Sequence, residues 1–153
     1  MEIARQRFGA SDKAIDMTQP NRRERLRFAD FRFTRTPDGR CHVEVALELE
    51  GTLVRGVGSG LSSAQVDLRV AAEAALQALE TFTERTFGFE LIGVKAVRAF
   101  DANVIIVSIG TRMGQAPRRL LGVALVEADQ ARGAVLSVLN ATNRVLGNFI
   151  VTH

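Results

Sequence analysis

The sequence predicts an α+β domain built from two successive β-β-β-α units, in which one helix backs each antiparallel sheet. The first observation is the segment 121–146, whose pattern is typical of a strand, a tight turn and a long amphipathic helix. The second is a similar segment 66 positions earlier, where Gly56 matches Gly122. The third is the run 43–49, in which apolar side chains alternate with mainly acidic ones, as in a strand with one dry face.

The two predicted helices also match at the shift of 66 positions. Two amphipathic helices can align in this way by chance, which is the alternative to a true repeat. With a true repeat, the first unit spans residues 26–86 and the second spans residues 88–147, both approximately. The matching apolar positions are Leu68, Ala72, Ala75 and Leu79 in the first helix, and Ala134, Val138, Ala141 and Val145 in the second.

Turn-forming residues divide the first unit into three strands. Gly39 is free to take a positive φ angle in a hairpin turn, and Gly51 follows the second strand in the same way. We expect strands over 28–35, 43–49 and 52–57, with turns over 37–40 and 50–51.

The first helix is predicted from Ser63 to Arg85. Ser62 and Gln65 have the spacing of a capping box at its start, and Gly88 is expected to end it. Alanine residues in its apolar stripe should let the helix pack closely on a sheet.

The second unit repeats this order, with Asp129 as the N-cap and Gly147 as the C-terminal glycine of its helix. The strand over 104–109 is expected to be buried on both faces or nearly so, because it is almost entirely apolar. A four-residue extension in a loop over 111–117 keeps the two units in register. The predicted elements are strands over 90–100, 104–109 and 118–126, a turn over 101–103, and a helix over 129–146.

The distribution of charge distinguishes an N-terminal arm from the rest of the chain. The formal net charge of +3 originates in residues 1–27, which carry seven basic and four acidic side chains, whereas the rest of the chain is balanced. We therefore predict a flexible basic N-terminal arm over 1–24 and a single duplicated domain over 25–153. One cysteine and two histidines in 153 residues do not make a metal site, so we expect no metal and no cofactor.

Partners and location follow from the same composition. The sequence has no signal-peptide core and no run of 18 apolar residues, so we expect a soluble cytoplasmic protein that does not bind membranes. Excess positive charge is confined to the arm, and the chain has no Trp or Tyr for stacking on bases. We therefore expect no nucleic-acid partner.

Glycines at 56, 58 and 60 precede the first helix, and two interpretations of them remain open. They can simply permit a sharp turn from strand to helix. Alternatively, free N–H groups at the helix start can bind a carboxylate or a phosphate. Their spacing is neither that of a phosphate-binding loop nor that of a dinucleotide-binding unit, so a nucleotide is disfavoured.

Three short motifs carry a resemblance to a known family. They are Leu139-Asn140-Ala141-Thr-Asn143-Arg144 at the end of the segment 129–144, Gly58-Ser-Gly60-Leu-Ser-Ser-Ala64, and Phe100-Asp101-Ala102. Together they resemble the C-terminal allosteric and dimerisation domain of the 2-isopropylmalate synthase and citramalate synthase family, over about residues 28–147. The resemblance implies the duplicated fold, pairing into a homodimer, and leucine or isoleucine as an effector.

The chain departs from the family at defined positions. Leu61, Ser62 and Ser63 replace the family's Pro-Val-Asp, and the second unit has Ala124 where the family has the second glycine of Gly-x-Gly. The catalytic barrel and its His-x-His metal motif are absent from the sequence.

The residues do not predict an enzyme, because catalysis needs a base or nucleophile held near a partner. His42 lies in a predicted strand, His153 is the last residue, and Cys41 has only Arg40 beside it. Two functions stay open: a regulatory module that binds a small amino acid or acts on a partner enzyme in trans, and a purely structural oligomerisation protein, in both cases as a homodimer. The predicted ligand-binding residues are Gly58, Gly60, Ala64, Gly122, Ala124 and Asp129.

Overall fold

The computed structural model describes residues 26–49, 51–84, 88–113 and 116–152. The predicted N-terminal arm lies outside these described residues. The elements in chain order are β1 (Arg27–Arg35), β2 (Arg40–Leu49), β3 (Thr52–Leu61), α1 (Ala64–Phe82), β4 (Gly88–Ala99), β5 (Ala102–Met113), β6 (Ala116–Val126) and α2 (Gln130–Thr152).

The two halves of the chain form the same β-β-β-α unit, which confirms the predicted fold class. Each unit has a three-stranded antiparallel sheet, in the order β1-β2-β3 or β4-β5-β6. Each first strand has a register shift at the corresponding place, between Phe28 and Asp30 and between Leu91 and Gly93. The predicted duplication therefore extends to an irregularity of the backbone, which a chance match of helices would not produce.

Each helix lies very close to the third strand of its own unit. An added Cβ at Gly56 would lie 1.9 Å from the carbonyl oxygen of Ala74, and one at Gly122 would lie 2.0 Å from that of Ser137. In both units a helical amide side chain also accepts a hydrogen bond from the next strand residue. Gln77 accepts from the Val57 N–H at 2.7 Å, and Asn140 accepts from the Val123 N–H at 3.0 Å.

These contacts correct the predicted match of the helices. The third strands do match at a shift of 66, but Gln77 and Asn140 are 63 positions apart, as are the two residues that approach the glycines. Helix α2 is therefore displaced by nearly one turn along its sheet relative to α1. The sequence match at 66 aligned two apolar stripes that have the same period but a different packing register.

Along with this displacement, the small residue changes place: it lies on the strand in the first unit and on the helix in the second. In the first unit, Gly58 lies under Val70, whose carbonyl oxygen would be 2.9 Å from an added Cβ. In the second unit, Ala124 takes the strand position and Gly133 is on the helix, where an added Cβ would lie 2.3 Å from Val126. Both units thus pair a small residue with a larger one to keep the helix close to the sheet.

The helix ends differ from the predicted ones. Ser63 is the N-cap of α1 and accepts from the Val66 N–H, so the predicted capping box of Ser62 and Gln65 is wrong. The helix ends at Phe82 because Glu84 adopts a positive φ of 54° just after it, and Gly88 instead begins β4. Helix α2 continues to Thr152, so Gly147 lies inside it.

Two predictions about β5 are also corrected. Its burial alternates: Ile105, Val107 and Ile109 face the helix and are buried, whereas Ile106 is exposed, so the strand is not buried on both faces. The predicted loop over 111–117 is mostly strand, because Arg112 pairs with Pro117 and Met113 with Ala116. The four extra residues therefore lengthen a hairpin.

One hydrophobic core spans both units. Its buried side chains come from the inner faces of both sheets and from both helices. The units also contact each other directly, since Gln65 of α1 donates to the carbonyl oxygen of Val94 at 2.8 Å and the Arg132 guanidinium of α2 lies 4.5 Å from the ring centre of Phe28. Within the described part of the chain, no helix has the length and apolar character needed to cross a membrane.

Candidate functional surfaces

The predicted ligand-binding glycines of the first unit lie inside β3. Gly58 pairs with Val43 and Gly60 with Cys41. A Cβ at Gly60 would lie 3.1 Å from Val66 and 3.2 Å from Val70, so side chains of α1 fill the space above it. These glycines let the helix lie on the strand, which is a structural role.

The backbone N–H groups of these glycines belong to the sheet. Alternate residues of an antiparallel strand direct both backbone groups at the same neighbour. Because the Val57 N–H bonds to Gln77 at the sheet edge, the adjoining Gly56 and Gly58 direct theirs at β2. A ligand near this site would therefore contact the start of α1 rather than the glycine N–H groups.

The other predicted site residues are divided between the two helices. Ala64 is exposed at the first position of α1. In the second unit Gly122 is buried beneath α2, Ala124 is half-buried opposite Ile105, and Asp129 is exposed. The Asp129 carboxylate accepts from the Arg132 N–H at 3.0 Å, which confirms that it caps its own helix. The six residues thus form two separate groups, and their ligand-binding role stays a prediction.

A polar cluster at the start of α1 was missed by the sequence interpretation. The carboxylate of Asp67 is buried and accepts from Arg35 Nη2 and from Ser62 Oγ, both at 2.8 Å. Arg35 Nε also donates to Ser62 Oγ at 3.2 Å. Burial opposes ionisation of Asp67, but the hydrogen bonds from Ser62, Arg35 and Cys41 outweigh it and lower the pKa of the carboxyl.

Cys41 is a free cysteine that belongs to this cluster, and it is buried, with 1% of its surface exposed. Burial raises the pKa of this thiol, and the hydrogen bond to the Asp67 carboxylate raises it further. A thiol in this state is a poor nucleophile, because the thiolate is the reactive form. The cluster therefore fixes the end of β1 and the start of α1 to each other.

A shallow pocket of about 610 Å³ lies beside the β1–β2 hairpin. It contains both signs of charge, from Asp38 and Arg40. Its lining residues are Thr36, Pro37, Asp38, Arg40, Cys41, His42 and Ser59. Ser59 lies between the two predicted site glycines, but the glycines themselves do not line the pocket. In the described ranges, no group of three or more His, Cys, Asp or Glu side chains is placed to hold a metal ion.

The outer face of each sheet is the face opposite its helix. On the outer face of the first sheet, nine of the twelve residues in the cross-strand rows are charged or polar, against five of the fifteen in the rows of the second sheet. Arg32 lies 3.4 Å from Glu44, and Arg27 pairs with Glu48. The rows are Thr34–His42–Ser59, Arg32–Glu44–Val57, Asp30–Ala46–Arg55 and Arg27–Glu48–Leu53.

The outer face of the second sheet is largely apolar. On β6, Leu121, Val123 and Leu125 are 66%, 52% and 72% exposed. Ile106 on β5 and Ile92 at the irregularity of β4 are exposed beside them. The rows are Val97–Val104–Leu125, Lys95–Ile106–Val123, Gly93–Ser108–Leu121, Glu90–Gly110–Arg119 and Gly88–Arg112–Pro117.

Phe100 lies in the turn at one end of the second sheet. It is 99% exposed in the two-residue turn between β4 and β5, where Phe100 and Asp101 have φ angles of 53° and 60°. An aromatic residue seldom adopts a positive φ and gains nothing from full exposure to water. Both facts make this turn a candidate contact point.

Comparison with known proteins does not identify the chain, because no family model matches it and no curated protein is similar enough to match. The resemblance to the regulatory domain of 2-isopropylmalate synthases therefore stays a prediction.

Proposed function

We propose that this chain is a non-catalytic assembly module that forms a homodimer through the outer face of its second sheet. The observation that carries the proposal is the apolar character of that face, formed chiefly by Ile106, Leu121, Val123 and Leu125. Contiguous exposed apolar patches of this kind mark interaction surfaces.

The size of the face fits a small dimer. Strands in a sheet are about 4.8 Å apart and rise about 3.3 Å per residue, so three strands of this length present about 500 Å². Two copies would bury about 1,000 Å² in total, which is near the lower limit of a stable interface. Sheets commonly pack face to face at about 10 Å when both inner surfaces are apolar.

A second copy of the chain is the partner that fits best. A two-fold interface places the same patch of both subunits in contact, so it requires a face that complements itself. Apolar side chains meet this requirement, and of the two described outer faces only that of the second sheet is largely apolar, since charged or polar side chains lie between the exposed Leu53, Val57 and Leu61 of the first. The assembly therefore closes as a dimer instead of extending as a fibre.

Light scattering on the intact protein at micromolar concentration tests the proposal. We expect twice the 16.7 kDa of one chain, and little loss of dimer at high salt, because the contact is mainly apolar. A monomer would contradict the proposal. A protein that dimerises only after removal of residues 1–24 would also contradict it, since the arm would then be the natural cover of the face.

A regulatory module that binds a small amino acid is the second candidate, favoured by the pocket beside the β1–β2 hairpin. Arg40 and Asp38 in its lining could pair with the carboxylate and the ammonium group of an amino acid. Such a module would act on a partner enzyme in trans. Calorimetric titration with leucine, isoleucine and valine tests it, with Arg40→Ala as the variant expected to lose binding; no heat with any of the three would exclude this candidate.

A further inference from the structure

The two ends of the second sheet's outer face differ in charge. Asp101 lies in the turn at one end, and Glu127 follows β6 at the same end. Arg98 pairs with Asn103 near this turn but at an inner-face position, and Lys95 lies in the row of Ile106, nearer the middle of the outer face. Arg112 and Arg119 occupy outer-face positions near the other end. Glu90 lies in the row of Arg119, so that end keeps a net positive charge.

Two packings with aligned strands place this face against itself with two-fold symmetry. If the axis runs along the strands, equal ends of the two copies meet. If the axis runs across the strands, the acidic end of each copy meets the basic end of the other. The second arrangement brings opposite charges together at both ends, whereas the first brings like charges together at both ends.

The exposed aromatic turn agrees with the second arrangement. In that arrangement Phe100 of each copy lies over the end of the partner's sheet that contains Arg112, where a guanidinium group can stack on the ring. The corresponding turn of the first unit uses Gly39, which takes its φ of 85° without steric cost. Phe100 thus keeps an unfavourable backbone conformation in the β4–β5 turn, at one end of the apolar face.

We propose that two copies pack their second sheets with strands antiparallel, so that Phe100 and the acidic end of each copy contact the Arg112–Arg119 end of the partner. This inference rests on the proposed function, because it specifies how the dimer is arranged. The partner is a second copy of this chain, recognised by apolar contact in the centre and by charge at the ends.

Cross-linking of the intact protein distinguishes the two arrangements. Val104 and Gly110 lie on the central strand, three rows apart on the outer face. A Cβ at Gly110 makes only ordinary contacts, the nearest being Ile92 at 3.5 Å, so Gly110→Cys should fold normally. Native Cys41 is buried, and the unsubstituted protein serves as the control for its reactivity.

With a short bismaleimide, we expect neither Val104→Cys nor Gly110→Cys to cross-link alone, and a mixture of the two to give a covalent dimer. Cross-linking of either single variant would overturn the antiparallel arrangement but leave the dimer intact. A dimer by light scattering that cross-links in no combination would show that another surface is used. A monomer by light scattering would instead remove the proposed function.

Charge reversal provides a second readout. Arg112→Glu with Arg119→Glu should weaken dimerisation about tenfold at low salt, because each contact occurs twice in a two-fold interface. Adding Asp101→Arg and Glu127→Arg to the same chain should restore it. Unchanged affinity in the first variant, or no recovery in the second, would count against the arrangement.

Discussion

The two outer faces differ far more than the two inner faces of this duplicated domain. At corresponding positions, His42 and Glu44 of the first unit are replaced by Val104 and Ile106 in the second. The inner faces keep the same close approach at Gly56 and Gly122, and the same amide contact at the strand edge. Packing against the helix constrains the inner faces, whereas the outer faces are free to differ and hence to serve association.

The largest effect on stability should come from a charge placed beneath either helix. Ala78 and Ala141 are buried and lie at matching positions, so Ala78→Glu and Ala141→Glu should each cost several kcal/mol, about half of a typical domain's stability. Thermal unfolding followed by circular dichroism measures this, with the exposed Thr81→Glu as control. Because the two units share one core, both should unfold in a single transition in each variant. A thermal transition confined to one unit would contradict this.

The next largest effect should follow from adding one methyl group under each helix. Gly56→Ala and Gly122→Ala place a Cβ about 2 Å from a helix carbonyl oxygen, so the helix must move, at a cost of about 1–3 kcal/mol or more. Denaturant titration compares them with Gly93→Ala, where nothing lies within 4 Å of the added atom. If one of the two were tolerated like the control, the inner faces would not be equivalent.

A smaller effect, confined to the first unit, should come from the polar cluster. Asp67→Asn removes a buried carboxylate that accepts from Arg35 and Ser62, at a cost of about 1–3 kcal/mol at neutral pH. Helix α2 has no acidic residue in its first turn, so the second unit has no counterpart of this carboxylate.

The pH dependence gives the sign of this effect. The pKa of Asp67 is lower in the folded protein than its ordinary value of 3.8, so its contribution is present above that value and is lost as the pH falls through the lower folded pKa. We expect Asp67→Asn to reduce the acid-dependent loss of stability in urea titrations below pH 4. If the free energy of unfolding fell equally steeply with falling pH in both proteins, Asp67 would not be the source of the acid-dependent loss of stability.

Periodicity was sufficient to predict the fold. The alternation around Val43 and Val45, the turn at Gly39 and the repeated glycine gave the order of the elements and the duplication, since these patterns reflect local constraints. The helix registers were not predictable, because the displacement of α2 depends on how Val70 and Gly133 fill space against the strands. Local pattern does not contain that information.

The candidate surfaces were harder to predict. The glycines at 58 and 60 indicated a ligand because glycine before a helix fits both close packing and anion binding, and the structure shows the packing. The strand over 104–109 was predicted to be buried on both faces or nearly so, since apolar residues in a strand do not reveal whether a second layer covers them. An apolar face of β5 that no helix covers is what indicates an association surface. Only the position of α2 in the structure shows which face of the strand that is. The role of Asp67 depended on contacts with distant Arg35.

Light scattering of Val123→Glu beside Val57→Glu tests whether the chain dimerises through the outer face of its second sheet. The two valines occupy the same position of the repeat, are 52% and 44% exposed, and donate their N–H groups to equivalent amide side chains. Both variants should keep the native circular dichroism spectrum. We expect a monomer for Val123→Glu and an unchanged dimer for Val57→Glu at the same micromolar concentration. A dimer that persists in Val123→Glu, or that is lost equally in both, would contradict assembly through the outer face of the second sheet.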